Sequence, residues 1–125
     1  MERTKIQELF RLLVDNLSDD GYAVYTNTPF LDQKEIPGTM RYEGTIEDFF
    51  YESTTFGFMV SVFTGFIEAA MLTKINLIVL VPGKETRKKY SKLCGHNNYW
   101  EYDILSNDVD YIFDEIMNLM KVKIA

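Results

Sequence analysis

Residues Leu77-Ile78-Val79-Leu80-Val81 constrain this chain more than any other stretch. They form an unbroken aliphatic run, closed by Pro82-Gly83. A strand exposed to water on one face alternates apolar and polar residues, whereas this run is apolar at both parities. It therefore needs cover on both faces, as a central strand of a parallel sheet does. Phe58-Met59-Val60-Ser61-Val62-Phe63 reads as a second buried strand, and Tyr99 to Ile104 as a third.

Helical patterns separate these runs. Ile6, Leu9, Phe10, Leu13 and Leu17 recur at helical spacing within a helix predicted from Thr4 to Ser18, with Gly21 as its stop. A short β-rich run, Tyr22 to Thr26, follows. Asn27 to Gly44 reads as a loop around Pro29 and Pro37-Gly38, holding at most a short strand at Met40-Arg41-Tyr42. Thr45 and Asp48 make a capping-box pair with Asp in place of Glu, and place Ile46, Phe49 and Phe50 on one face of a short helix. Phe66 to Leu72 and Lys84 to Leu93 read as helices. Asn107 is expected to cap a last helix with Val109, Ile112, Phe113, Ile116 and Met120 inward. The aromatic group Phe49, Phe50, Tyr51, Phe56, Phe58, Phe63 and Phe66 is assigned to the core. Strands alternating with helices over 125 residues predict a single domain, 1–125. Its expected form is a three-layer, Rossmann-like α/β domain with a mainly parallel sheet of four or five strands.

Composition narrows the function. Apolar residues make up 46% and the net charge is −6. An acidic surface repels phosphate backbones and anionic lipid, so no nucleic-acid partner is expected. The single cysteine, Cys94, and single histidine, His96, cannot form a disulfide or a Cys/His zinc site between them, and no metal site is expected. Polar residues Ser61, Thr64 and Glu68 interrupt the most apolar region, so no membrane span is expected. The N-terminus has no signal-like apolar stretch, and with one cysteine the chain reads as cytoplasmic.

Ligands of open α/β sheets bind beyond the carboxyl ends of strands. Three places qualify. Thr64-Gly65 joins a strand to a predicted helix, a geometry suited to an anion; Glu68 in the first turn either opposes an anion that it faces or holds a ribose or sugar hydroxyl. The other reading of Thr64-Gly65 is a tight turn that uses glycine. Lys84 opens a stretch holding five basic residues in nine positions, which reads either as a rim attracting a diphosphate or as a solvated helix face. It is not a Walker A loop, because Ile78 stands where the first glycine belongs and Glu85 follows the lysine. Asn27 can contact a ligand or simply end a strand. No nucleophile or general base can be assigned, so the catalytic residues stay unknown, and no cofactor is implied.

The order of these segments resembles a known family. Gly21-Tyr22 with Tyr25-Thr26-Asn27, Ile36-Pro37-Gly38-Thr39, the helix start at Thr45, Val60 to Glu68 and Ile78 to Pro82 follow one another in register. The series is similar to the C-terminal, donor-binding domain of GT-B glycosyltransferases of bacterial surface-polysaccharide biosynthesis, with its G-Y-x-V-Y-T-N, P-I-x-G-T and R-S-G-L-x-D segments. The resemblance spans about Phe10 to Met120. It implies a nucleotide-sugar ligand at Thr64, Gly65 and Glu68, with Asn27 in the matching Y-T-N segment; the basic stretch at Lys84 adds a further candidate contact. Phe63 stands where the family has the arginine that meets donor phosphate, which removes a charge-assisted bond. The family's N-terminal acceptor domain and the strand before the first helix have no counterpart in this sequence. The resemblance therefore implies an incomplete domain, inactive alone. Two other readings stand beside it: half of a two-chain active transferase, and a protein-interaction module without ligand. The missing strand further suggests a homodimer, or a partner chain that covers the gap, unless residues 22–27 close up against 58–63.

Overall fold

The computed structural model describes residues 2–27, 36–53, 55–62, 70, 73, 75–81 and 98–124. Helix α1 spans Glu2–Asp19, and strands β1 and β2 span Tyr25–Asn27 and Met40–Tyr42. Helix α2 is Ile46–Glu52. Strands β3, β4 and β5 are Phe58–Val62, Asn76–Val81 and Tyr99–Asp103, and helix α3 is Val109–Ile124.

All described strand pairs are parallel. β3, β4 and β5 form one sheet in that order, with Val60 opposite Ile78 and Ile78 opposite Trp100. The two runs read from the sequence as buried strands, Phe58–Val62 and Leu77–Val81, are adjacent and parallel. β1 and β2 form a separate parallel pair, Tyr25 opposite Met40 and Asn27 opposite Tyr42.

The central strand explains the layers. Leu77 to Val81 are all at most 1% exposed. Ile78 and Leu80 belong to a cluster with Leu9 and Leu13 of α1 and Ile112, Ile116 and Met120 of α3. Leu77, Val79 and Val81 belong to a second cluster with Phe49 of α2, Ala70 and Ile75. Alternate side chains of one strand thus face two different helical layers, since successive side chains point to opposite faces. Burying each of these residues contributes about 1.5–3 kcal/mol. The result is a three-layer α/β arrangement with a parallel sheet, consistent with a Rossmann-like fold.

Helix α1 ends as glycine predicts. Gly21 has φ +90°, Tyr22 N–H donates to Leu17 C=O at 3.0 Å, and Gly21 N–H donates to Ser18 C=O at 3.1 Å. This double closure satisfies carbonyls the helix would leave open. It also uses Tyr22, so β1 begins at Tyr25 rather than at Tyr22, and Asn27 ends the strand instead of opening the loop. A second glycine, Gly38, also has φ +90°, and a Cβ there would lie 3.1 Å from Val14 Cγ1 on α1. Gly38 therefore lets the approach to β2 pass close over α1.

Among the described residues, 22–27 show no ladder to 58–62, so the alternative of a closed-up sheet is not seen there; β1 pairs with β2 instead. Two expectations are corrected. Phe50 and Tyr51, assigned to the core, are 38% and 85% exposed: they turn away from the side of α2 on which Phe49 packs into the core. Asn107 does not cap α3 through its side chain. Its Nδ2 donates to Asp103 C=O at 3.0 Å, while the Asp108 carbonyl accepts from Ile112 N–H at 3.1 Å.

Candidate functional site

The three strands of the larger sheet point their carboxyl ends the same way, ending at Val62, Val81 and Asp103. Val62 lies opposite Leu80, and Val81 opposite Asp103. The backbone therefore leaves β3 and β4 at neighbouring points on one edge. Thr64 and Gly65 follow β3 by two and three residues, and Lys84 follows β4 by three. Thr64, Gly65, Glu68 and Lys84 themselves lie outside the described residues, as do His96 and Cys94. Asn27 is described as the last residue of β1, on the two-stranded sheet, opposite Tyr42. What the fold brings together is thus the origin of the Thr64-Gly65 and Lys84 segments. Asn27 belongs to the other strand pair.

At the third carboxyl end, Asp103 is 5% exposed. Its Oδ1 accepts from Leu105 N–H at 2.9 Å and from Ser106 N–H at 3.4 Å, and its Oδ2 accepts from the Ser106 hydroxyl at 2.9 Å. Lys5 reaches the same turn from α1, donating to the carbonyls of Ile104 at 2.6 Å and Asn107 at 2.9 Å. Asp103 is thereby committed to shaping the β5–α3 turn. An Asp with Ser three residues on is a readable turn signal, which sequence reasoning passed over. Two strand positions earlier, the Tyr99 hydroxyl donates to Glu101 Oε1 at 2.7 Å, taking the acceptor-only carboxylate as its partner.

The carboxyl end of β2 carries a second polar group that the sequence did not reveal. Tyr42 Oη donates to Glu52 Oε2 at 3.1 Å. Partial burial, this hydrogen bond, and the charges of Glu52 and Asp48 push the Tyr42 phenol up to about 12. It is a neutral donor throughout the physiological range. Its ring lies over Gly44, where a Cβ would come within 2.6 Å of Cζ. Asp48 holds the start of α2, accepting from Thr45 N–H at 2.9 Å and donating its own N–H to Thr45 Oγ1 at 3.1 Å, the reciprocal box expected from the sequence. Tyr42 and Tyr25 each meet Phe56 edge-on, at centroid distances of 5.7 and 6.0 Å, so Phe56 draws them into an aromatic cluster on the β1–β2 pair, edged with carboxylates beside Tyr42. Chemically, it can accept hydrogen bonds from hydroxyl or cationic groups. The ten residues Tyr42 to Tyr51 gave no local signal for a Tyr42–Glu52 pair, because the contact depends on how α2 folds back beside β2.

Among the described residues, no group of three or more His, Cys, Asp or Glu side chains is placed to hold a metal ion. Among the same residues, no helix is long and apolar enough to cross a membrane. Comparisons with protein families, with curated proteins and with solved structures find no match for this chain.

Proposed function

We propose that this chain is a nucleotide-sugar-binding domain related to GT-B glycosyltransferases, acting as the donor side of a transfer site and inactive in sugar transfer by itself. The observation that carries the reading is the parallel order β3-β4-β5, with β3 ending at Val62 just ahead of Thr64-Gly65. In α/β sheets a ligand sits beyond such carboxyl ends, and this is where the donor phosphates fall in the family the motifs resemble. Phe63 in place of the family's cation predicts weak donor binding, because a charge-assisted bond to phosphate is lost. Oriented catalysis also needs the acceptor held in place, a contribution of about 7–11 kcal/mol in favourable cases.

Thermal unfolding with millimolar UDP-, GDP-, CMP- and dTDP-sugars tests this. A ligand at about a hundredfold excess over its Kd stabilises a fold by about 2.7 kcal/mol, a rise of several degrees in Tm. One nucleotide class should raise Tm, Lys84→Ala should reduce the rise, and Phe63→Arg should increase it. If no nucleotide sugar shifts Tm for the native chain or for Phe63→Arg, the reading is wrong. Sugar transfer by the isolated native chain would refute the inactive part of it.

A further inference from the structure

We infer that the outward face of α2, with the aromatic cluster that joins it to β1–β2, docks a cationic peptide segment of a partner protein, one in which Arg or Lys alternates with aliphatic residues. The inference does not depend on a nucleotide-sugar site.

The first observation is where apolar surface is exposed. Eight large hydrophobic residues are exposed among the described residues, and Tyr22, Tyr25, Met40, Phe50 and Tyr51 all come from residues 22–51. Tyr51 is 85% exposed, at a cost in hydration that scattered single residues do not concentrate in one region. Helical geometry places these side chains. Phe49 is buried against Phe56 in a stacked pair at 6.3 Å, which fixes the inward direction of α2. With about 100° per residue, Phe50 lies to one side, Glu47 and Tyr51 point away from the core, and Asp48 lies between Tyr51 and the side of Glu52. The surface continues from Glu52 to Tyr42 through their 3.1 Å hydrogen bond, and from Tyr42 to Tyr25 across Phe56.

The second observation is charge. Residues 43–52 hold four carboxylates, Glu43, Glu47, Asp48 and Glu52, and no Lys or Arg. All four are exposed. A purely apolar partner would desolvate these charges without replacing their water, which is costly. An anionic partner would be repelled. A guanidinium or ammonium group satisfies both features at once: it pairs with carboxylate and sits over the faces of Tyr and Phe rings. Tyrosine is also enriched among the residues that dominate interface energies. The partner chemistry that fits is therefore cationic, with aliphatic spacing to cover the rings.

Fluorescence anisotropy with the full chain tests the proposal. The probe is a labelled peptide of alternating Arg and Leu, compared with its Glu-for-Arg counterpart. The Arg peptide should bind at least about tenfold more tightly, and more weakly as salt rises, as exposed ionic contacts do. Phe50→Ser with Tyr51→Ser, and separately Glu43→Lys with Glu47→Lys, should each weaken it about tenfold, since each removes or opposes several contacts of the exposed cation–π or ion-pair kind. All four positions are exposed, and circular dichroism and the denaturation midpoint confirm that each variant folds. Equal binding of the two peptides overturns the proposal. So does full affinity for the Arg peptide in both variants, and so does loss in the aromatic variant alone, which would assign the face to apolar association without a cation.

Discussion

Replacing Asp103 by Ala removes one buried carboxylate and leaves every strand pairing in place. The structure sets the cost. Among the described residues, three donors lose their acceptor: Leu105 N–H at 2.9 Å, the Ser106 hydroxyl at 2.9 Å and Ser106 N–H at 3.4 Å. A hydrogen bond to a charged group is worth about 1.5–3 kcal/mol, the 3.4 Å contact is weak, and bonds sharing one carboxyl do not add, so the total is about 2–4 kcal/mol. Asp103→Asn keeps an acceptor for Leu105 N–H and turns the second position into a donor that the Ser106 hydroxyl can accept, so its cost is about 1 kcal/mol. Urea denaturation of the three proteins measures both numbers. With a slope of about 1–3 kcal/mol/M, the Ala variant should lose about 1–2 M in midpoint and the Asn variant well under half of that. A loss below about 0.5 kcal/mol for Ala would refute the assignment of Asp103 to the turn. Equal losses for Ala and Asn would show that the negative charge, rather than the geometry of the turn, is what the fold requires.

Two other outcomes follow from positions described above. Gly21→Ala should cost about 1 kcal/mol for adopting φ +90° with open space around its new methyl group, whereas Gly38→Ala should cost more because the methyl group also meets Val14; Val14→Ala should erase the difference in a denaturation series. For Tyr42, the neutral phenol is favoured in the folded state, so its contribution to stability is complete below pH 10 and is lost as pH rises from 10 towards 12. The ultraviolet titration of the native protein minus that of Tyr42→Phe should have its midpoint near 12, and a midpoint at 10 would remove Glu52 and Asp48 as its neighbours in solution.

The sequence carried the fold further than the site. β4 was legible because a run apolar at both parities has few places to go, and its pairing with β3 followed from the short connection between two such runs. The stop at Gly21 and the Thr45–Asp48 box were legible because both are local chemistry, complete within a few residues. Phe50 was misread because Ile46, Phe49 and Phe50 fit helical spacing equally well, and spacing cannot tell how wide a stripe the sheet will cover. The start of β1 was misread because Tyr22 has the composition of a strand residue, while its N–H is claimed by the end of α1. The pairing of β1 with β2 joins residues 15 apart in parallel, Tyr25 with Met40, and nothing in either three-residue strand names its partner. Tyr42 and Glu52 illustrate the same limit at a polar contact. For Thr64, Gly65, Glu68 and Lys84, the sequence pattern and the places where β3 and β4 end are what support the proposed site.

The two-sided burial of β4 has a consequence for misfolding. In a strand with one wet face, a slip of one residue turns the apolar set towards water and is rejected at once. β4 offers no such check: shifted by one position, Leu77 to Val81 would still present aliphatic side chains to both clusters. The frame must be held by the ends of the strand. At its start Asn76 Nδ2 donates to Gly57 C=O at 2.9 Å, tying β4 to the residue just before β3. On the other neighbour, Leu77 N–H donates to Asn98 C=O at 2.9 Å and Val81 C=O accepts from Ile104 N–H at 3.0 Å. A slipped β4 would leave the Asn76 amide without that carbonyl and would bring the proline at 82, which has no N–H, into the ladder. The most hydrophobic element of the domain is thus aligned by polar atoms at its two tips, and its aliphatic middle is free to supply cohesion without choosing the frame.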